Sequence, residues 1–458
     1  MEQTTVKNRG WQVTMSGLGI NLALGVLYAW SIFKGAIKTS IEKGGEGAFQ
    51  WDIASINDPY AVCCLVFAFA MILAGKCQDK IGPARTALIG GVLVGSGFTL
   101  LAFSPSYLAW VVGFGILAGA GFGFGYSAAT PPALKWFHSS KTGLIAGLVV
   151  AGFGVAPVYI APAASFLIGA LGIQKAMLVF AVGFTVIVCG LSFLLVNPPA
   201  GYVPPAPETK EPSKAPAKKG GHDATVSEML RDPKFYLLWV AYFIGAGAGL
   251  MVIGSLAVLA KKSMGNMAFV AVAIMAVGNA GGRVVAGILS DRIGRKATLV
   301  IMLCLQAAMM FSAMTVIGTG SAYLLVLLAT FIGFNYGSNL SLFPTFAKDY
   351  WGFKNYGLNY GALFTAWGVG GFVMGRVSET INAQPGGQAK SFLLAGGLLV
   401  AGALLTMTLK TGAAKETEQA PAAVPALGQG TFLEQFSRGV AALTGYAQEP
   451  AYLQQRAR

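Results

Sequence analysis

Long apolar stretches alternate with short polar breaks along almost the whole chain. Runs of about 17–25 residues, each long enough to cross a hydrocarbon core of roughly 30 Å as a helix, recur along it. Twelve can be placed, centred on Trp11–Phe33, Pro59–Gly75, Thr86–Phe103, Leu108–Thr130, Gly143–Gly169, Met177–Val196, Phe235–Leu259, Met267–Leu289, Thr298–Ile317, Tyr323–Ala347, Gly357–Thr380 and Ser391–Thr408. Between the sixth and seventh lies NPPAGYVPPAPETKEPSKAPAKKGGHDATVSEMLRDP, rich in Pro, Ala and Lys, which cannot bury a core and predicts a flexible linker. The pattern divides the chain into a six-helix bundle over 1–196, a linker over 197–233, a second six-helix bundle over 234–410 and a tail over 411–458. Thr225–Asp232 predicts a short amphipathic helix before Pro233, and Thr431–Tyr446 a surface helix in the tail. The first run is too long for a secretory signal and lacks a small-residue cleavage site, so it counts as a membrane helix.

Composition sharpens the class. Of 458 residues 55% are hydrophobic and only 11% charged, and the mean hydropathy is +0.63, far from soluble averages. The chain reads as an all-α polytopic membrane protein. With both termini in the cytoplasm, most of the 32 Lys and Arg fall on the inner side, which leaves Lys38, Lys43, Lys175, Lys261, Lys262, Arg376 and Lys390 in outer loops. That bias favours this orientation; a multi-pass protein of the cell's inner membrane and a monomer are expected. Contact with anionic lipid accounts for the net charge of +14 without nucleic acid, for which the basic face with interleaved aromatics is missing. Cys63, Cys64, Cys77, Cys189 and Cys304 have no metal-ligand spacing and read as buried thiols. The two histidines, His138 and His222, fall in loops, and no nucleophile, metal or nucleotide motif accompanies them. Neither an enzyme nor a cofactor is expected.

One pattern occurs twice. GKCQDKIGPAR at Gly75–Arg85 and GILSDRIGRK at Gly287–Lys296 share a frame of Gly, three residues, Asp, a basic residue, Ile and Gly, with Asp79 and Asp291 212 residues apart. The same offset lays GFGFGYSAATPP at Gly121–Pro132 over GFNYGSNLSLFP at Gly333–Pro344. Two landmarks with one offset identify an internal duplication, which in transporters places the substrate between halves near the bilayer midplane. At cytoplasmic helix ends, Asp79 and Asp291 can meet the positive N-terminus of a neighbouring helix, Asp79 near Asn355–Gly357 and Asp291 near Lys141–Gly143. With Arg85 and Arg295 they are expected to latch the halves; the plainer alternative is charge that only fixes topology.

The repeated Gly-x-x-x-Asp-basic-x-Gly pattern resembles the loops after helices 2 and 8 of the major facilitator superfamily. LYAWSIF, KWFHSSKTGLIAGL, MLRDPKFYLLW and FKNYGLNYGALF resemble the branch of oxalate/formate antiporters and monocarboxylate transporters, including bacterial lactate-type carriers. The similarity runs from residue 8 to about 410. It implies twelve helices in two pseudo-symmetric bundles that rock about a central site, and transport of a small carboxylate together with a proton or against a counter-anion.

Charge inside the membrane is expensive, so it points to the site. Arg283 in AVGNAGGRVVAGILSDR is the clear mid-membrane cation, its planar fork suits a carboxylate, and Asn279 lies one turn earlier on the same face. A snorkelling or carbonyl-paired arginine is the structural alternative. Tyr28 on helix 1, Phe122 and Tyr126 on helix 4, and Asn335, Tyr336 and Asn339 on helix 10 are candidates to complete a cage, each alone being as compatible with packing. The oxalate/formate pattern has cavity aromatics where this chain has Tyr28, Tyr126, Tyr336 and Phe364, and its arginine aligns with Arg283. Where the oxalate carrier has a second intramembrane lysine, this chain has Trp367. One cation suits one carboxylate, which predicts lactate, pyruvate, formate or acetate over oxalate. Animal monocarboxylate transporters carry an Asp where this chain has Asn279, so a proton would travel with the substrate or use Asp58 in INDPYAV, a residue also placed to start a helix before Pro59. Oxalate/formate-type exchange and a transporter-derived carboxylate sensor are the competing functions.

Overall fold

A computed structural model describes residues 8–45, 47–138, 141–199, 201–204, 223–254, 256–382 and 384–409. Those residues form one compact, all-helical unit with no strand among them. Eleven helices are long and apolar enough to cross a membrane: α1 Gly10–Lys43, α2 Asp58–Ile81, α3 Pro83–Phe103, α4 Tyr107–Lys135, α5 Thr142–Leu171, α6 Ile173–Ser192, α7 Pro233–Ile253, α8 Ala268–Ile293, α9 Arg295–Gly318, α10 Ala322–Trp351 and α12 Gly387–Met407. Between the last two lies α11, Tyr356–Asn382, 27 residues long, where the eleventh apolar run was expected. The short helix predicted before Pro233 is present as Val226–Arg231, started by a capping box in which Thr225 and Glu228 satisfy each other's backbone N–H. Most of the linker's Pro/Lys stretch and the helix expected at Thr431–Tyr446 lie outside the described residues.

The two halves meet most extensively along two helix pairs, α2 with α11 and α5 with α8. Both pairs close on glycine. A Cβ on Gly75 would sit 2.2 Å from the Gly357 carbonyl oxygen, and one on Gly143 would sit 2.4 Å from that of Gly287. The first glycine of each repeated motif is therefore a point of backbone approach. The second has a different cause: Gly82 and Gly294 have φ of +87° and +93°, and each ends one helix and starts the next in a single left-handed residue. Both aspartates lie in the last turn of a helix, on the end of the molecule called below the motif face.

Two helices break near mid-depth. In α1 the turn Gly25–Ala29 tightens to a 3₁₀ helix, and α5 is interrupted at Ala156 because Pro157 cannot donate to the Phe153 carbonyl. The breaks are neighbours: a Cβ on Gly25 would lie 2.4 Å from that same Phe153 oxygen. Irregular backbone at membrane depth is tolerated where protein covers it, and it is where transporter sites form. Tyr28 sits in the tightened turn.

The glycines on α8 separate by face. Gly282 abuts the Phe334 backbone oxygen, whereas a Cβ on Gly281 would meet no atom nearer than 3.9 Å. Gly282→Ala must part α8 from α10 and is expected to cost about 1–3 kcal/mol, seen as a lower melting temperature of the purified protein. Gly281→Ala should leave it unchanged; equal melting of both variants would show that α8 and α10 do not depend on this contact.

Candidate functional site

Arg283 is fully buried on α8. One turn earlier Asn279 accepts a hydrogen bond from its Nε at 3.0 Å, so two residues read as sharing a face form one unit. The other two nitrogens cross to the first half: Nη1 donates to the Val150 carbonyl on α5 at 2.5 Å, and Nη2 to the Tyr28 hydroxyl on α1 at 3.4 Å. The guanidinium also lies 5.9 Å from the Tyr28 ring centroid. Gly154 makes the space, since a Cβ there would stand 2.9 Å from Nε. Among the described residues no carboxylate pairs with this cation.

From Tyr28 a hydrogen-bonded chain continues across the halves. The Tyr28 and Tyr336 hydroxyls are 2.6 Å apart, and the Trp367 indole N–H donates to Tyr336 at 2.8 Å. Both ends of the chain are donors only. Two phenolic hydrogens therefore share one hydroxyl-to-hydroxyl bond, and one hydrogen is left without an acceptor among the described residues. Arg283 polarises Tyr28 and makes it the better donor, which leaves the spare hydrogen on Tyr336. A guanidinium has five N–H groups and three are used, so the assembly holds a positive charge with surplus donors.

Aromatic rings surround the chain. Phe364 stacks on Trp367 at 5.0 Å and meets Tyr126 at 5.6 Å. Phe153, edge-on to Tyr28 at 5.0 Å, and Phe67, 5.1 Å from Trp367, were not anticipated. Phe153 sits between Gly152 and Gly154, a small-large-small pattern that marks a ring pressed into an interface; Phe67 has no comparable signal. Three candidates do not join the chain, among them Asn339, whose amide donates back to the Asn335 and Tyr336 carbonyls of its own helix at 3.3 and 3.4 Å. Phe122 packs behind it against Phe67, Phe114 and Phe153, and Asn335 turns back to donate to the Phe331 carbonyl of its own helix at 2.9 Å. Asn335 precedes Tyr336 by one residue, about 100° around the helix, so the two cannot face one point.

At the motif face Asp291 Oδ2 accepts from the Leu144 N–H at the start of α5 at 3.3 Å. Arg295 is 2.5 Å from Asp291 and 3.1 Å from Asp349. Asp79 faces the Leu358 amide at the start of α11, with Lys135 as the nearby positive charge. Arg85 does not take the part expected of it: it is exposed and pairs with none of the described residues. The reason is register. Arg295 opens α9, but Pro83 occupies the matching place at the start of α3, and Arg85, two residues on, points roughly 200° away. At the far face Asp58 is the first residue of α2, where it pairs with Arg376 of α11 at 2.5 Å and accepts from the Tyr107 hydroxyl at 2.9 Å. Arg376, expected in an outer loop, lies within α11.

A buried cation with surplus donors thus stands between two helix bundles, in a chain with eleven helices long and apolar enough to cross a membrane. The family model of the Major Facilitator Superfamily matches residues 13–375 and, in a second alignment, 270–444. The chain belongs to that superfamily. It is 27% identical over 382 residues to the uncharacterized MFS-type transporter YhjX of Escherichia coli, covering 81% of this chain and 88% of the relative. It is 26% identical to the oxalate:formate antiporter of Oxalobacter formigenes, over 88% and 92% of the two chains. With monocarboxylate transporter 13 of Rattus norvegicus the identity is 24%, over 87% and 89%.

The Tyr28–Tyr336 bond joins the halves, so its strength is measurable. Tyr28→Phe and Tyr336→Phe should each lower stability by about 1 kcal/mol, and the double variant by less than the sum. Strict additivity in a double-mutant cycle of melting would break the chain at this point.

Proposed function

We propose that this transporter carries small monocarboxylates of the lactate, pyruvate, formate or acetate class by alternating access around Arg283. The observation that carries the proposal is a fully buried guanidinium with no carboxylate partner among the described residues, in contact with both halves. A charge so placed is expensive in a membrane protein unless a ligand completes it. A carboxylate offers two oxygens: one suits the Arg283 fork and the other the spare Tyr336 hydrogen, with Asn279 holding the fork in plane. The rings of Phe364, Trp367, Tyr126, Phe67 and Phe153 suit a short apolar remainder. Trp367 supplies a neutral donor, so one cation answers one negative charge. The names of the relatives, an oxalate:formate antiporter and a monocarboxylate transporter, support this substrate class.

In this reading the motif face and both termini are cytoplasmic. Asp79 and Asp291 hold that face closed by sitting on the N-termini of α11 and α5, where the helix dipole favours a carboxylate. The second latch is the more fully ionic, through Arg295. Transport is coupled to a proton, carried on the substrate or by Asp58, and not to exchange alone.

Purified protein in liposomes, given labelled carboxylates with and without an inward proton gradient, tests the reading. Saturable uptake that rises with the gradient is expected; counterflow without gradient dependence would favour anion exchange, and binding without flux a sensor. Arg283→Lys keeps the charge but loses the fork, and is expected to cost at least tenfold in uptake at normal membrane insertion, on the order of a lost charge-assisted bond. Unchanged kinetics would remove Arg283 from the site.

Trp367 tests charge counting. Trp367→Lys puts a second cation at the end of the same chain and should raise the binding of oxalate relative to lactate in folded, monodisperse protein. A ratio that stays constant or moves towards lactate would sink the substrate assignment.

A further inference from the structure

We propose that Arg376 is a receiving site for the carboxylate of incoming substrate on the far face, and that Asp58 is a resident carboxylate which the substrate displaces. This rests on the carboxylate reading of the central site. Three observations lead to it. The Asp58–Arg376 pair joins α2 of one half to α11 of the other, so exchange of partner at Arg376 removes a contact between the halves at the far face. The pair is open to solvent on the arginine side, which is 49% exposed against 18% for the aspartate. Partner exchange there costs little, because exposed pairs are weak. Asp58 keeps the hydrogen bond from Tyr107 when it lets go, so its charge is not stranded.

A cleft of about 20 Å³ lies beside Arg376, with walls from both halves. Among its lining are Asn57, Tyr60, Gly371 and Arg376. Tyr60 is only 5% exposed, and its ring stacks on Trp30 of α1 at 6.2 Å. The cleft holds about one water as it stands, so it admits a carboxylate only as α2 and α11 part.

The same seam leads inward. A Cβ on Gly368 of α11 would lie 2.7 Å from the Cys64 carbonyl oxygen of α2, and farther along Phe67 meets Trp367. Arg376 and Trp367 are nine residues apart on one helix, roughly 13 Å along its axis. A substrate that replaces Asp58 thereby stands at the head of the seam whose other end is the Trp367–Tyr336–Tyr28–Arg283 chain.

The experiment is vectorial transport by the full chain in liposomes of known orientation, with lactate and acetate as probes. Arg376→Gln should raise KM at the far face by about fivefold, the factor matching an exposed ion pair, and leave KM at the motif face unchanged. Arg376→Lys should recover most of the loss. Asp58→Asn removes the competitor and, in counterflow without a proton gradient, where a coupling role of Asp58 does not enter, should lower KM at the far face. Opposite signs at one face are not what a merely structural pair would give. Equal changes at both faces, or a raised far-face KM in Asp58→Asn, would overturn the proposal. If the parent protein carries no carboxylate, the central reading falls first; if it does and Arg376→Gln leaves far-face KM unchanged, the receiving site alone falls.

Discussion

The cost of burying one guanidinium organises this molecule. Arg283 belongs to the second half, yet two of its three hydrogen-bond acceptors, the Val150 carbonyl and the Tyr28 hydroxyl, belong to the first. Neutral oxygens offset part of the desolvation cost but supply no opposite charge. The halves are thus drawn together at mid-depth by a cation that remains incompletely satisfied. The local irregularities serve the same end: the tightened turn in α1 presents Tyr28, the break in α5 sits beside Phe153, and Gly154 leaves room for the fork.

Duplication built the frame, and departures from it built the site. The 212-residue offset that relates Asp79 to Asp291 relates Arg283 to Met71 and Asn279 to Phe67. One half therefore supplies charge and amide where the other supplies thioether and ring. Phe67 reaches Trp367 and Phe364, so the apolar copy forms the wall opposite the polar one. The latches diverge in the same way, through Arg295 in one copy and Pro83 in the other.

Much of the frame was legible because the bilayer imposes it. Twelve apolar runs correspond to the twelve long helices, and the repeated motif marked both crossings between halves. Arg283 and Asn279 were legible because intramembrane charge is rare and one helical turn is a fixed spacing. What escaped reading depended on partners from other helices. Periodicity assigns a face to Phe122 and Asn335 but not the neighbour that takes it, and Phe67 looks like any core phenylalanine in an apolar run. Asp58 beside Pro59 reads as a helix start, which it is, while its pairing with Arg376, 318 residues away, has no local signature.

The α2–α11 pair carries contacts between the halves at both ends, and they differ in kind. At the far face the contact is side chain to side chain, with a half-exposed arginine, worth about 0–1 kcal/mol and screened by salt. At the motif face backbone packs on backbone through Gly75 and Gly357, with a carboxylate on the first turn of a helix. Its opening must break close-packed contacts together with a charge–dipole attraction of roughly 0.3–1 kcal/mol. The motif face of α5 and α8 repeats that arrangement with an ionic network added. Of the two ends, the far one therefore has less to break. By these magnitudes the unliganded α2–α11 pair parts first on the side where Arg376 stands.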